Sequence, residues 1–218
     1  MSKVFYNKPI IDLIFEEFNK KKDNQDEGKL LNLVKRLPPE DVNNKNPKGY
    51  TILMFASKYG YSEIVKVLID TQADINIRNN YGLTALIYAS GYSNTSSNIE
   101  TVKLLIDAQA DINIRNNYGL TALMLASEYS NTDSNIETVK LLIDAQADPN
   151  NQDNKGWTAL ILASKYSNTA SNIETVKLLM DVQADVNIQD SNGWTVLMYA
   201  SSYSNTRIVN LLENHSQN

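Results

Sequence analysis

The sequence repeats itself, and this repetition limits the chain to a narrow set of folds. The 32-residue segments that begin at Gly82 and Gly119 agree at 27 positions. The glycine that opens them also occurs at Gly49, Gly156 and Gly193, so that successive spacings are 33, 37, 37 and 37 residues. A period of this length predicts a solenoid, in which each unit buries its apolar face only against neighbouring units.

The composition excludes several classes of protein. The 218 residues include no cysteine, which rules out disulfides, a thiolate zinc site and a cysteine nucleophile. A net charge of −5 argues against broad binding to nucleic acids or anionic membranes, because both require a basic surface. Three acidic residues, Asp12, Glu16 and Glu17, interrupt the apolar N-terminal segment. We therefore predict no signal peptide or membrane span, and we expect an intracellular, cytoplasmic protein.

Each unit is predicted to contain two short helices and a polar turn. The segment GLTAL begins a first helix of about eight residues, and the second helix, such as residues 98–107, has apolar residues at helical spacing. Ser97 and Glu100 match a capping box at the start of that second helix. The same pair occurs as Ser134 with Glu137 and as Ser171 with Glu174. The QADIN segment and the polar turn after it predict a tight extended hairpin.

The two ends of the chain are less regular. Residues 7–21 predict a helix that Asn7 caps, and a second short helix ends before Pro38. We interpret residues 1–46 as a degenerate N-terminal capping repeat, 47–190 as four regular repeats and 191–218 as a truncated C-terminal capping repeat. Three regular repeats carry four extra residues between their helices, in YSNTSSN, YSNTDSN and YSNTASN. These inserts are either a second polar contact ridge or a tolerated loop extension.

The repeated pattern G-x-T-A-L-[IM]-x-A-S, [IV]-V-K-x-L-[IL] and A-D-[IVP]-N resembles the ankyrin repeat over most of the chain. The resemblance implies an all-α solenoid of about six stacked helix-turn-helix units with projecting β-hairpins. It also implies a concave face that binds a partner protein. The Asn- and Ser-rich units are most similar to the ankyrin repeat proteins of giant DNA viruses of amoebae. A viral origin would place the protein in the host cytoplasm.

The sequence departs from the family pattern in two ways that matter for stability. The usual Pro-Leu-His after the threonine is replaced, for example by Ala85-Leu86-Ile87, which removes a polar network between units. Glutamine replaces the usual glycine before Ala-Asp, at Gln72, Gln109, Gln146 and Gln183. If these residues keep a left-handed backbone, each costs about 1–2 kcal/mol. The alternative is a different helix ending.

The candidates for partner binding are positions that differ between copies, the tyrosine that follows the variable residue near the end of each first helix, and the two arginines beside this row. By resemblance they face the concave groove. They are Lys48, Tyr50, Arg78, Tyr81, Leu83, Tyr92, Arg115, Tyr118, Leu120, Tyr129, Lys155, Trp157, Tyr166, Trp194 and Tyr203. Tyrosine, tryptophan and arginine are typical of interface hot spots, so we predict a non-catalytic protein–protein interaction module. The alternative for the tyrosines is that they stack on each other as scaffold.

A second functional class remains open. The segment from Leu105 to Asn113 resembles the site at which ankyrin asparagines are hydroxylated by an iron-dependent oxygenase. The candidate positions are Asn76, Asn113, Asn150 and Asn187. The alternative function is therefore a structural spacer or a substrate of such an oxygenase. The single histidine, His215, argues against a histidine-based catalytic or metal site, so we expect no enzyme activity, metal or cofactor. We also expect a monomer.

Overall fold

The structure is a computed structural model that describes residues 8–167, 173–203 and 205–215. These residues form twelve α-helices and contain no β-strand. The α-helices are α1 (Ile10–Phe18), α2 (Glu27–Lys35), α3 (Ile52–Tyr59), α4 (Ser62–Asp70), α5 (Ala85–Gly91), α6 (Ile99–Asp107), α7 (Ala122–Glu128), α8 (Ile136–Asp144), α9 (Ala159–Tyr166), α10 (Ile173–Asp181), α11 (Val196–Ser202) and α12 (Thr206–His215). Two short 3₁₀ helices lie at Lys22–Asn24 and Pro39–Asp41.

The helices pack in consecutive pairs and form two layers. Helix α1 packs on α2, α3 on α4, and the pairing continues to α11 with α12. The odd-numbered helices also pack on one another along the stack, and the even-numbered helices do the same. This arrangement confirms the all-helical stack predicted from the repeats. The division into six units, the domain boundaries and the capping roles remain predictions.

The first helix of each regular unit begins at a threonine cap. The hydroxyl oxygens of Thr51, Thr84, Thr121 and Thr158 each accept a hydrogen bond from the backbone N–H three residues later. Such a cap stabilises a helix by about 1 kcal/mol. The leucine two residues after each threonine is buried between the layers; Leu86 and Leu123 are both 1% exposed. Burying a leucine side chain contributes about 1.5–3 kcal/mol, so the repeated leucines hold the layers together.

The predicted capping box at the second helices is wrong. Asn98 and Asn135 are the N-cap residues of α6 and α8, and their side chains accept from Thr101 N and Thr138 N. Ser97 instead donates its hydroxyl hydrogen bond to the carbonyl oxygen of Ser57 in the preceding unit, at 2.7 Å. The serine is therefore used between units, and asparagine is left to cap the helix. The third predicted pair includes Ser171, which lies outside the described residues.

The four glutamines that replace glycine do adopt the left-handed conformation. Their φ angles are 62° at Gln72, Gln109 and Gln146, and 60° at Gln183. At Gln109 the backbone N–H donates to Ile106 O, and the next N–H, from Ala110, donates to Leu105 O. This pair of bonds is a Schellman ending, which closes the helix and requires a positive φ. Of the two alternatives, the left-handed glutamine is the correct one.

The first two inserts contact each other. The backbone N–H of Asn94 donates to Asp133 O at 2.9 Å, and the Asn94 side chain donates to Thr132 O at 2.9 Å. Thr138 also donates to the hydroxyl of Ser93 across the units, at 2.7 Å. These bonds give the inserts a structural role; whether they also contact a partner is untested. Most of the third insert lies outside the described residues.

The N-terminal helix is shorter than predicted. Helix α1 begins at Ile10 after an N-cap Pro9 that makes no side-chain cap, and it ends at Phe18. The predicted cap, Asn7, lies outside the described residues. The buried side chains Ile14 and Phe18 attach α1 to the stack, and the Phe18 ring stacks on Phe55 of α3 at a centroid distance of 5.2 Å. Apolar packing therefore fixes this helix in place.

Candidate partner-binding surface

The polar loop between units folds around one side chain. In each loop an Asn or Asp oxygen accepts the backbone N–H groups two and four residues later; Asn116, for example, accepts from Tyr118 N and Leu120 N at 2.9 and 3.0 Å. The same residue in the other loops is Asn46, Asn79, Asp153 or Asp190. We call the five segments 46–50, 79–83, 116–120, 153–157 and 190–194 the loop tips. They are turns, and the predicted β-hairpins are not confirmed.

Neighbouring loop tips are joined by backbone hydrogen bonds. Asn117 N donates to Tyr81 O at 3.0 Å, and Asn154 N donates to Tyr118 O at 3.0 Å. The side chains of the same asparagines add a second bond, since Asn117 Nδ2 donates to Asn80 O and Asn154 Nδ2 donates to Asn117 O, both at 2.9 Å. The loop tips therefore form one continuous row and hold their outward side chains in fixed positions.

The close packing of the loop tips explains their glycines. Gly82 has a φ of +76°, and a Cβ at that position would lie 2.5 Å from Asn117 Oδ1 and 2.7 Å from Asn117 N. Gly193, in the last loop tip, has a similar φ of +78° but has no atom within 4 Å of such a Cβ. Glycine therefore avoids backbone strain at both positions, and it is needed for space only where another loop follows.

The two predicted arginines donate hydrogen bonds to the backbone at the loop tips, and Arg78 also reaches the next unit. Arg78 Nε donates to Gly82 O at 3.3 Å, and its guanidinium also donates to Arg115 O in the next unit at 3.0 Å. Arg115 Nε donates to Gly119 O at 3.2 Å. Both side chains remain exposed, so they combine a structural role with a positive charge at the surface.

The predicted aromatic and leucine positions divide into two groups by exposure. Tyr118 is 64% exposed, Tyr203 51%, Tyr81 45%, and Tyr92 and Trp194 each 40%. Tyr50, Leu83, Leu120, Tyr129, Trp157 and Tyr166 are only partly exposed. Tyr50, Leu83, Leu120, Trp157 and Tyr166 also pack against the core. The exposed group provides contact area, and the partly buried group belongs at least in part to the scaffold.

Trp157 forms a hydrogen-bonded cluster with Asp190 and Tyr199 of the next unit. Its indole Nε1 donates to Asp190 Oδ2 at 3.1 Å and lies 3.0 Å from the hydroxyl of Tyr199, which itself donates to Asp190 Oδ2 at 2.6 Å. Burial alone would raise the pKa of Asp190, but these donors, together with the N–H groups of Trp194 and Asn192, lower it to about 2. The carboxylate is thus held charged inside the scaffold.

Two lysines surround the same indole. Lys155 Nζ lies 4.7 Å from the Trp157 ring centroid, and Lys165 Nζ lies 3.8 Å from it. Lys155 belongs to a loop tip and Lys165 to the C-terminal end of α9. Both distances are within the range of cation–π attraction. The loop tips and the ends of the odd-numbered helices therefore form one surface, which we call the candidate surface.

A matching cluster occurs three units earlier. The hydroxyl of Tyr88 donates to Tyr50 at 2.8 Å and accepts from Asn79 Nδ2 at 3.2 Å, while Lys58 Nζ lies 5.9 Å from the Tyr88 ring. Burial, together with the hydrogen bond to Tyr50, raises the pKa of Tyr88 well above its usual range. Tyr88 and Tyr199 were not among the predicted site residues. The sequence held a signal for them. The aromatic residues Tyr50 and Trp157 are each followed, in the next unit, by a tyrosine, Tyr88 or Tyr199. At the equivalent positions, Leu83 and Leu120 are followed by Leu125 and Leu162.

Glu128 is the acidic member of the candidate surface. It stands at the end of α7, at the position that Lys165 occupies in α9. Burial raises the pKa of Glu128, and a hydrogen bond with Tyr129 and the charge of Lys165 oppose that rise. Burial also raises the pKa of Tyr129, to about 12. Both groups are therefore partly withdrawn from solvent.

The candidate hydroxylation residues form a separate ladder. Asn76 Oδ1 accepts from Asp111 N at 2.9 Å, Asn113 Oδ1 accepts from Asp148 N at 2.9 Å, and Asn150 Oδ1 accepts from Asp185 N at 2.8 Å. These side chains therefore join one unit to the next. Their residues, and Asn187, are exposed. Whether any of them is modified is untested.

The described residues contain no group of three or more His, Cys, Asp or Glu side chains placed to hold a metal ion. No helix in the same ranges has the length and apolar character needed to cross a membrane. The side chain of His215 lies outside the part of the chain that can be described.

The comparison with known families identifies the repeat. The sequence model for the family described as ankyrin repeats (3 copies) matches residues 24–116, 93–153 and 131–218. Together the three matches cover the chain from residue 24 to its last residue. No match was found among curated proteins.

Proposed function

Because the chain belongs to the ankyrin repeat family, we propose that it is a non-catalytic module that binds a partner protein along the candidate surface. Ankyrin repeats generally mediate protein–protein interactions. The partner would lie across the row of loop tips and the C-terminal ends of α3, α5, α7 and α9. A row of five loop tips at the usual helix-pair spacing of about 8–10 Å is long enough for a standard interface of about 800 Å² per partner.

The observation that carries this proposal is the placement of the varying side chains on a fixed framework. The loop tips repeat the same turn and the same backbone bonds, while the side chains that they present differ from unit to unit. Lys165 lies 3.8 Å from the ring centroid of Trp157, so helix ends and loop tips contribute to one surface. A rigid surface with variable aromatic residues loses little conformational entropy on binding, which favours recognition.

Exposure separates contact residues from scaffold. We assign the main contacts to Tyr81, Tyr92, Tyr118 and Trp194, which are all at least 40% exposed. Trp157, although predicted to bind a partner, uses its N–H within the cluster of Asp190 and Tyr199. Its removal would damage the scaffold as well as any interface. A test of binding should therefore change exposed residues first.

The experiment compares three forms of the full chain as bait in a cell lysate. The first form is unchanged, and the second carries Tyr81→Ala and Tyr118→Ala. The third carries Lys103→Ala in α6 and Lys140→Ala in α8, in the layer of even-numbered helices. We expect one or more proteins to bind the first and third forms but not the second. All three should show the same helical circular dichroism, because each altered side chain is exposed. Equal capture by all three forms would contradict the assignment of the candidate surface.

We also propose a viral source for the protein and an alternative function. The resemblance to viral ankyrin repeat proteins favours a partner in an amoebal host, so a lysate of amoebae is the first to test. The alternative function is a spacer whose Asn76, Asn113, Asn150 and Asn187 are hydroxylated. The exposure of these four residues favours access by a modifying enzyme. Peptide mass spectrometry of protein from its native source would show the addition of one oxygen atom to each modified peptide.

A further inference from the structure

The charge on the candidate surface is opposite to that of the whole chain. The chain has a net charge of −5. At the loop tips and helix ends, however, there are four lysines and three carboxylates, and two exposed arginines lie beside the tips. The cations are Lys48, Lys58, Arg78, Arg115, Lys155 and Lys165, and the carboxylates are Glu128, Asp153 and Asp190. The excess of acidic groups lies elsewhere: α4, α6, α8 and α10 each carry two acidic residues and one lysine. The candidate surface is therefore a basic strip on an acidic protein.

The lysines of this strip are available to a partner. Lys58, Lys155 and Lys165 lie over aromatic rings, and neither these three nor Lys48 forms an ion pair in the described part of the chain. A ring attracts an ammonium group without neutralising its charge. The rings thus position the ammonium groups while leaving their charge to be met by an anion.

The nearby carboxylates of the scaffold do not form ion pairs with these lysines in the described part of the chain. Asp153 accepts from the backbone N–H groups of Lys155 and Trp157, each at 2.8 Å. Asp190 accepts from two side chains and two backbone N–H groups. Glu128 is half-buried and hydrogen-bonded with Tyr129, and although the charge of Lys165 acts on it, the two form no ion pair in the described part of the chain. Each acidic group is therefore used within the scaffold.

The arrangement is present twice. The unit that begins at Gly49 has a lysine before its glycine, an aromatic residue after it, and Lys58-Tyr59 at the end of its first helix. The unit at Gly156 has the same residues in the same places, with Lys155, Trp157 and Lys165-Tyr166. Two units without these lysines lie between them. At about 8–10 Å per unit, the two lysine clusters are separated by roughly 24–30 Å.

From these observations we propose that the partner contributes an extended acidic segment, whose carboxylates bind Lys155 and Lys165 around Trp157, and Lys48 and Lys58 in the unit that begins at Gly49. An extended chain advances about 3.3 Å per residue, so acidic groups about eight or nine residues apart would reach both clusters. Apolar residues between them would lie on the exposed rings of Tyr81 and Tyr118. This inference rests on the proposed function and specifies the chemistry of the partner.

The test uses a random peptide library of about fifteen residues, displayed on phage and selected on the intact protein. We expect the selected peptides to be enriched in Asp and Glu with apolar residues between them. Calorimetry would then measure the affinity of one selected peptide for three proteins. Lys155→Gln with Lys165→Gln should weaken binding at least about tenfold, because charged hydrogen bonds are lost. Lys103→Gln with Lys140→Gln removes the same charge from α6 and α8, in the layer of even-numbered helices. It should change the affinity for the peptide less than about twofold.

The outcomes separate this inference from the proposed function. Selected peptides that are neutral or basic, but that no longer bind after Tyr81→Ala and Tyr118→Ala, would overturn the acidic partner and leave the binding surface in place. Peptides that bind equally well to both lysine variants would also overturn it. Failure to select any peptide that depends on the candidate surface would count against both proposals. An RNA oligonucleotide of mixed sequence could bind more tightly than the peptides and lose its affinity when Lys155 and Lys165 are replaced. That result would overturn the acidic segment in favour of nucleic acid as the partner.

Discussion

Replacing Gln109 by glycine should stabilise the fold. Gln109 has a φ of 62°, is exposed, and contributes only its backbone to the ending of α6. An L-residue in this conformation costs about 1–2 kcal/mol, which glycine does not. Glycine also makes the unfolded chain more flexible, which costs about 0.4–1 kcal/mol. With the middle of both ranges, the net gain in the free energy of unfolding is about 0.8 kcal/mol.

The four equivalent sites allow the effect to be multiplied. Gln72, Gln109, Gln146 and Gln183 share the same φ within 2°. They lie in successive units and do not share side-chain partners, so their effects should add. Replacing all four with glycine should stabilise the protein by roughly 2–4 kcal/mol. The expected increase is a substantial fraction of the free energy of unfolding of an ordinary domain, which is about 5–15 kcal/mol.

Urea unfolding followed by far-ultraviolet circular dichroism would measure this effect. With a denaturant dependence of about 2 kcal/mol per molar, a single change should raise the midpoint by about 0.3–0.5 M, and the four together by 1 M or more. Gln109→Ala is the matched control, since it removes the side chain but keeps a Cβ at positive φ. It should leave the midpoint nearly unchanged. If Gln109→Gly lowers the midpoint, or if Gln109→Ala raises it equally, the strain argument is refuted.

Three other substitutions test separate features, and the first two have matched sites. Gly82→Ala should destabilise the protein more than Gly193→Ala, because both strain φ but only the first brings a Cβ to 2.5 Å from a neighbouring atom; urea midpoints would show equal losses if crowding were irrelevant. Ile161→Lys, at a site 1% exposed, should prevent stable folding, whereas Met198→Lys, at the equivalent site 50% exposed, should change stability by less than about 0.5 kcal/mol in thermal melts. Asp190 has its pKa lowered from 3.8 to about 2, so its charge stabilises the fold above pH 3.8 and this contribution disappears as the pH falls towards 2. In the Asp190→Asn variant, the free energy of unfolding should fall less between pH 3.8 and about 2 than in the unchanged protein. The same pH dependence of stability in both proteins would contradict this role of Asp190.

The repeat made much of the fold predictable. A glycine, a threonine and two apolar helices recur at nearly constant spacing, so one correct interpretation applies to every unit. The left-handed glutamines were also predictable as one of two alternatives, since they stand where the ankyrin pattern has a glycine, the residue that usually ends a helix in the left-handed conformation. These features depend on residues that are close together in the chain.

The capping residue of the second helices shows where local reasoning failed. Ser97 and Asn98 are adjacent and both are good N-cap residues, so the sequence does not decide between them. The decision comes from Ser57, about 40 positions earlier, whose carbonyl oxygen accepts the Ser97 hydroxyl. That bond is made only when two units stack.

The same distinction applies to the candidate surface. The sequence by itself determined that the chain is a stack of helical repeats and which positions vary from unit to unit. Only the tertiary structure decided that Tyr118 is exposed, that Trp157 is held by Asp190 and Tyr199, and that Lys155 and Lys165 meet around one ring. The physical reason is that helix formation and turns depend on neighbours in the chain. The exposure and charge environment of a side chain depend instead on the adjacent unit, whose residues lie more than 30 positions away.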